Sequence, residues 1–411
     1  MTVPPTTDEI GARMDGALQP VGPGRSECFL PALTVQNHAA NLVRLPDGTL
    51  TCVWFGGTME GMPDISIYIS RLAPGSSRWS LPEKLSDDPV RSEQNPLIFV
   101  ASSGAVWLLH TAQTAGNQDS SVVRRRISLD GGKTFGAVDT LCVVPGTFVR
   151  QPIVVNRRGE WLLPLFRCVG VPGERWTGSS DFASVLVSGD EGRSWSMHDV
   201  PESTGAVHMN IVPLDGDAMV AFYRHRFAEH VLRSHSSDGG RTWSSPAPTG
   251  LPNNNSSIQA ARLADGRIAM VYNHASASTS AERRLSLYDE IEGEGEATPV
   301  APTSRRRAVW GVARAPLSLA FSSDGGETFG DRLDLEIGDG YCLTNNSRDR
   351  LNRELSYPSI SEAADGTLDI AFTYHRRAIK HVRLARSAFG SGANRILGGS
   401  EIARRFTPIT Q

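Results

Sequence analysis

The sequence predicts an all-β chain folded as one six-bladed β-propeller with an inserted loop in blade five. Three observations carry the prediction. Four segments share the pattern Ser-x-Asp-x-Gly-x-x-aromatic: SLDGGKTF at 128–135, SGDEGRSW at 188–195, SSDGGRTW at 236–243 and SSDGGETF at 322–329. Six other segments each join two apolar strands across a short glycine turn, with Gly48, Gly104, Gly159, Gly216, Gly266 and Gly366 spaced 56, 55, 57, 50 and 100 residues apart. Gly and Pro together supply 65 of 411 residues, about 16% against the usual ~12%, as many turns require.

Each blade is read as two hairpins in series, since two hairpins make a four-stranded antiparallel unit and six such units close a ring. Blade one is VRLPDGTLTCVWF followed by a degenerate second hairpin, ISIYISRLAPGSSRW. Blades two to four pair FVASSGAVWLLHT, VVNRRGEWLLPLF and VPLDGDAMVAFY with the first three Ser-x-Asp boxes, 31, 36 and 27 residues beyond the turn glycine. In blade five, ARLADGRIAMVY lies 63 residues from its box aromatic, so about thirty residues, near 279–314, are inserted there. That insert carries the charge run DEIEGEGE and is read as a solvated loop, with a lid over the axis as the alternative. Blade six, EAADGTLDIAFTY and HVRLARS, shows no box; the N-terminal segment ECFLPALTV is expected to supply its outer strand and leave no open edge. The organisation is thus a 1–24 extension, a 25–390 propeller and a 391–411 tail.

In the boxes, Asp is expected to cap turn amides, Gly to take positive φ and the aromatic ring to tuck under a neighbouring strand. A formal net charge of −3 gives no field for a polyanion, so nucleic-acid binding is not expected. No apolar run reaches the ~18 residues of a membrane span, and the first twenty residues lack a basic stretch and apolar core. These features read as a cytoplasmic protein without membrane association. Cys28, Cys52, Cys142, Cys168 and Cys342 are odd in number and contain no CxxC pair, which reads as reduced thiols, mostly buried.

The first strand of each propeller blade lines the axis, so residues that begin those strands meet at one mouth. Counting back from the turn glycines gives His38, Gln94 with Asn95, Gln151 beside Arg150, His208 with Asn210, Ser257 and Tyr357. Loops leaving the second strands open on the same face, with Glu60 and Asp64, Arg167, Arg224 and Arg226, Asn273 and His274, and His375 with Arg376. Carboxylates, arginines, histidines and a tyrosine around one axis make a site for a small polar or anionic ligand, and the arginine fork suits a carboxylate. The competing reading is that these groups solvate a channel and cap strand ends. No metal is expected, because no carboxylate or cysteine shares the local spacing of His38 or His208, and no cofactor is expected either.

The boxes on a six-bladed pattern resemble the Asp-box (BNR-repeat) sialidase-like superfamily, over residues 25–390. The resemblance implies that Asp130, Asp190, Asp238 and Asp324 are structural. It also implies a tyrosine nucleophile, matched by Tyr357, an aspartate acid/base, matched by Asp64 with Glu60 as competitor, and an arginine after the second strand of blade four, matched by Arg224. The arginine expected at the start of blade one is replaced by QNHAAN, and the glutamate expected at the start of blade four by His208-Met209-Asn210. Glu354 is the remaining candidate to polarise the phenol.

The implied activity is exo-hydrolysis of a glycan bearing a carboxylate, with a carbohydrate substrate held by Arg150, Gln151, Arg167, Arg224, Asn95, Ser257 and Arg376. Two other readings stay open. One is a uronide lyase in which His38 or His208 abstracts the proton beside the carboxylate and Tyr357 protonates the leaving group. The other is a non-catalytic carbohydrate-binding propeller.

Overall fold

The computed structural model describes residues 7–170, 176–288, 290–291 and 306–389. Six antiparallel sheets follow one another along the chain. Blade one is Gln36–Arg44, Leu50–Gly57, Ser66–Leu72 and Glu83–Lys84, and blade two is Arg91–Val100, Val106–Thr114, Val122–Ser128 and Asp139–Cys142. Blade three opens with a broken first strand, Thr147–Val149 and Val154–Val155, both paired to Trp161–Arg167. Blade four is Ala206–Pro213 to Ala247–Pro252, and blade five is Gln259–Arg262 to Gly330–Glu336. In blade six, Leu355–Glu362, Leu368–Tyr374 and Ala378–Leu384 are completed by the N-terminal strand Arg25–Phe29, in register from Arg25↔Leu384 to Phe29↔Lys380. The expected closure is therefore made, and Gln19–Gly22 adds a fifth strand outside it. The 391–411 tail lies outside the described residues.

Apolar faces alternate along the strands and meet between blades. Six hydrophobic clusters fill the six blade interfaces; Trp54, Cys52 and Leu42 of blade one, for example, pack against Ala371 and Ile379 of blade six. All five cysteines are buried and unbridged.

The Ser-x-Asp boxes sit at the outer turns, between third and fourth strands, and are built alike. Asp238 accepts from Thr242 N at 3.0 Å and Thr242 Oγ1 at 2.6 Å, while Ser236 Oγ donates to Asp238 Oδ1 at 2.8 Å and accepts from Gly240 N at 2.9 Å. Gly192, with φ +80°, shows why glycine is required: a Cβ there would stand 2.5 Å from the Trp107 ring of blade two.

Polar staples join the inner strands around the axis. Ser359 Oγ accepts from Leu42 N, Asn41 from Ile98 N, Thr111 from Val149 N, Asn210 from Ala260 N and Gln259 from Ile360 N. Each links adjacent blades. Gln151 crosses the axis, donating to Ile258 O at 2.6 Å and accepting from Gln259 Nε2 at 3.0 Å. Part of the axial polarity is thus structural, as the competing reading held.

Candidate active site

The mouth is shaped by a recurrent bulge. Register breaks in the first strands of blades one, two, four and six at His38/Asn41, Gln94/Leu97, Val207/Asn210 and Ser356/Ser359. Ala39, Asn95, His208 and Tyr357 occupy those bulges with φ of 50° to 63°, and Asn255, His375 and Arg376 are left-handed on the same face. Non-glycine residues in this region cost about 1–3 kcal/mol each. The bulge turns the His208 and Tyr357 side chains together, with ring centroids 5.6 Å apart.

Tyr357 is the centre of the cluster. Arg224 Nη1 donates to its phenol oxygen at 2.6 Å, and the guanidinium carbons of Arg150, Arg314 and Arg224 lie 5.4, 5.6 and 5.7 Å from its ring centroid. His38 lies against the ring at 4.2 Å. Beside it, Glu354 Oε1 pairs with Arg376 Nε at 3.0 Å and Arg314 Nη1 at 3.1 Å, lies 3.6 Å from His38 Nδ1, and accepts from Ser356 Oγ at 2.5 Å. Arg376 also donates to Glu60 Oε2 at 2.6 Å. The Arg376 Nε contact with Glu354 is an ion pair, close but poorly aligned for a hydrogen bond.

The charge balance is uneven. Burial alone would raise the Glu354 carboxyl, but Arg314 and Arg376 outweigh it and hold it well below the ordinary carboxylate range. Arg314 and Arg376 are correspondingly raised, the carboxylate Glu354 overcoming their burial. Arg150 and Arg224 have no carboxylate partner, and burial pulls each down to about 10. Arg150 spends Nη2 on the carbonyls of Ala40 and Pro358, both at 3.1 Å, and leaves Nε and Nη1 buried without a hydrogen bond. Burial, followed by neighbouring guanidiniums, also lowers His38 and His208 well below 6.5, so both rings are neutral at pH 7. His38 Nε2 and His208 Nδ1 are buried with no partner.

The other sequence candidates fall elsewhere. Asp64 is exposed and gives both carboxylate oxygens to Thr58, while Glu60 of the same loop points inward to Arg376. Arg167 is directed at Met197 and Pro145 in blade three. Gln151 is a staple, Ser257 is buried with its hydroxyl 3.5 Å from Ile258 O, and Asn95 sits in the blade-two bulge. Glu354 is committed to arginines, and the partner of the Tyr357 hydroxyl is Arg224.

Arg314 was missed because it ends the stretch assigned to a solvated insert. Its position three residues before the blade-five strand Leu317–Ser322 could have revealed it, since third strands start at the mouth. The solvated reading needs correction for the flanks of that stretch. The connection between the second and third strands of blade five spans 274–316, and its Leu287, Tyr288 and Trp310 are buried against Phe148, Phe166, Cys168 and Trp176. Apolar side chains at 287, 288 and 310 outweigh the intervening charges, several of which lie outside the described residues. Among the described residues no group of His, Cys, Asp and Glu could hold a metal, and no helix is long and apolar enough to cross a membrane.

A family model for the BNR repeat-like domain matches residues 48–370. No curated protein matches the chain by sequence. Among solved structures, the fold is similar to the Hadza microbial sialidase Hz136, with TM-score 0.63 and 14% identity over 87% of this chain and 67% of that one. It is similar to the K499G mutant of NanB sialidase from Streptococcus pneumoniae, with TM-score 0.60 and 12% identity over 86% and 69% of the two chains. A protein of unknown function from Dyadobacter fermentans matches with TM-score 0.62 and 15% identity over 89% of this chain and all of that one. At such identities the likeness is one of fold. The family match over most of the chain and the six-bladed ring agree: the chain belongs to the BNR repeat-like domain family, on a sialidase-like propeller.

Proposed function

We propose that this protein is an exo-acting glycoside hydrolase for a glycan whose terminal sugar bears a carboxylate, of the sialic-acid or uronic type. The observation that carries the proposal is the enclosure of Tyr357 by three guanidiniums, with Arg150 and Arg224 lacking a carboxylate counter-ion. Buried cations without a partner are costly, and a ligand carboxylate would supply the missing charge through paired hydrogen bonds.

In this reading the phenol oxygen of Tyr357 attacks the anomeric carbon, aided by the positive potential around it. The phenol proton passes to a neutral imidazole, His38 or His208. Glu60 is the acid/base: a ligand carboxylate competing for Arg376 releases it, it takes up a proton from solvent and gives that proton to the leaving oxygen as the glycosidic C–O bond breaks. As a carboxylate it then takes a proton from the water that displaces the phenol oxygen, which recovers its own proton from the imidazolium. Asp64 would need to leave Thr58 to take that role. Turnover of a sialoside and uronide panel by the native protein and by Tyr357→Phe tests the proposal, with loss of at least about a hundredfold expected; unchanged turnover contradicts it.

A second reading is favoured by one observation, the two neutral imidazoles with unpartnered ring nitrogens beside a phenol. A uronide lyase would use one imidazole to take the proton next to the carboxylate while Tyr357 protonates the departing oxygen; the C–H and C–O bonds break as a C=C bond forms. Its product is an unsaturated uronide, recognised by its ultraviolet absorbance and by a mass lower than the hydrolysis product by one water.

A further inference from the structure

The axial cluster is shut off from solvent. Tyr357 is 7% exposed, Arg224 2% and Glu354 1%. Between the cluster and its cover is a cavity lined by Leu287, Trp310 and Gly311 on the cover side and by Arg314, Cys342 and Glu354 below, with room for about one water molecule. Sugar-sized ligands need a few hundred Å³. No ligand of that size reaches Tyr357 while the cover is seated.

We propose that the Leu287–Tyr288 flank of the blade-five connection is a gate over the axial site, and that the Tyr288 hydroxyl is its latch. The proposal rests on the reading that the axial cluster takes a ligand. Tyr288 accepts from Gln113 Nε2 at 2.8 Å and Gln118 Nε2 at 3.1 Å, both of blade two, and its ring packs so closely over the blade-one loop that a Cβ on Gly61 would lie 2.8 Å from it. Leu287 O is tied to Asn345 Nδ2 at 2.8 Å. The two Tyr288 bonds are neutral and can be replaced by water or a ligand hydroxyl at small net cost, whereas Leu287 O also accepts from Arg284 Nη2 at 3.2 Å and the Glu290 carboxylate is bound by Asn345 N and Thr344 Oγ1, so the latch and not the chain beyond it is the weak point.

The other flank is the fixed side. Trp310 Nε1 donates to Thr177 O at 3.2 Å, and its ring lies 5.0 Å from the guanidinium of Arg226, which is locked on buried Asp181 at 2.7 and 2.9 Å. That ion pair fixes the guanidinium on which the Trp310 ring rests, so Trp310 keeps a cation–π contact and a hydrogen bond where Tyr288 has two neutral hydrogen bonds. The gate therefore opens by turning Leu287 and Tyr288 away, and the space it uncovers lies over Arg314 and Glu354. Leu287 and Trp310 form the roof that a bound sugar would meet.

Cys342 reports the opening without any assumption about the reaction, because it lines the cavity and is buried while the gate is seated. Cys52, inside blade one at 0% exposure, reports unfolding of the ring. Alkylation by N-ethylmaleimide, located by peptide mass spectrometry, is followed at both residues in the full chain and in Tyr288→Phe. The gate predicts that Cys342 reacts faster than Cys52 in the native protein and accelerates about tenfold in Tyr288→Phe, the effect of losing two neutral hydrogen bonds, while Cys52 stays protected. Equal rates at the two cysteines, or an unchanged Cys342 rate in the variant, would overturn it. Glucuronic acid and N-acetylneuraminic acid are then added as probes. If neither slows Cys342 while Tyr288→Phe still accelerates it, the gate stands and the ligand reading fails.

Discussion

Replacing Glu354 by Gln removes one negative charge from a buried site in which two guanidiniums lean on it, at 3.0 and 3.1 Å. Arg376 keeps Glu60, but Arg314 is left as a buried cation without a carboxylate. Breaking such a pair costs about 3–5 kcal/mol, and the surviving bonds from Ser356 and Asn352 argue for the lower end. With an unfolding entropy of about 2.1 cal/mol/K per residue, 411 residues give about 0.9 kcal/mol per degree, so a loss of ~3 kcal/mol lowers Tm by roughly 3–4 °C. Calorimetry at pH 7 measures this directly. The folded-state pKa of Glu354 is depressed, so its contribution is complete above the unfolded value near 4.3 and disappears as pH falls through the folded value. The Tm gap between native protein and E354Q should therefore close on acidification. An unchanged or higher Tm at pH 7 would refute the reasoning, since desolvation of the carboxylate would then outweigh its pairing.

Further outcomes follow from the same geometry. His38 and His208 are held neutral in the folded protein, so the unfolded chain binds more protons below pH ~6.5 and stability falls there. The pair should account for a loss of about 2.5 kcal/mol between pH 7 and 5.5, measured by urea unfolding, and H208Q should remove about half of that pH dependence. Asp238→Ala breaks four bonds in an outer box turn and should cost about 1–2 kcal/mol while leaving turnover and ligand binding unchanged; a loss of turnover without loss of stability would contradict the structural role of the boxes.

Most of the fold was legible because it repeats. A turn that needs Gly240 at positive φ and Asp238 on two amides and two hydroxyls leaves the same mark in every copy, and four copies fix the pattern. The alternation of apolar strand and glycine turn then placed Tyr357, His208 and His38 at the mouth, where the bulges bring them together. The loops were less legible. In the 58–64 loop two carboxylates lie four residues apart, and only the turn geometry, with Asp64 folded back onto Thr58, decides that Glu60 faces the axis. Arg314 and Tyr288 lay in a stretch whose charges suggested solvent, and their burial depends on partners far away in the chain, Glu354 for one and Gln113 and Gln118 for the other. Such contacts leave no periodic trace.

The central claim is that Tyr357 and the arginines around it that lack a carboxylate partner act on a carboxylate-bearing sugar. The most direct test is turnover of matched glycosides carrying either a free carboxylate or its methyl ester, by the native protein and by Tyr357→Phe, with products identified by mass. The account predicts release from the free acid, a loss of at least about thirtyfold on esterification, as expected when a buried charged partner is removed, and a loss of at least about a hundredfold for the phenylalanine variant. Equal turnover of acid and ester, or full activity without the phenol, would contradict it.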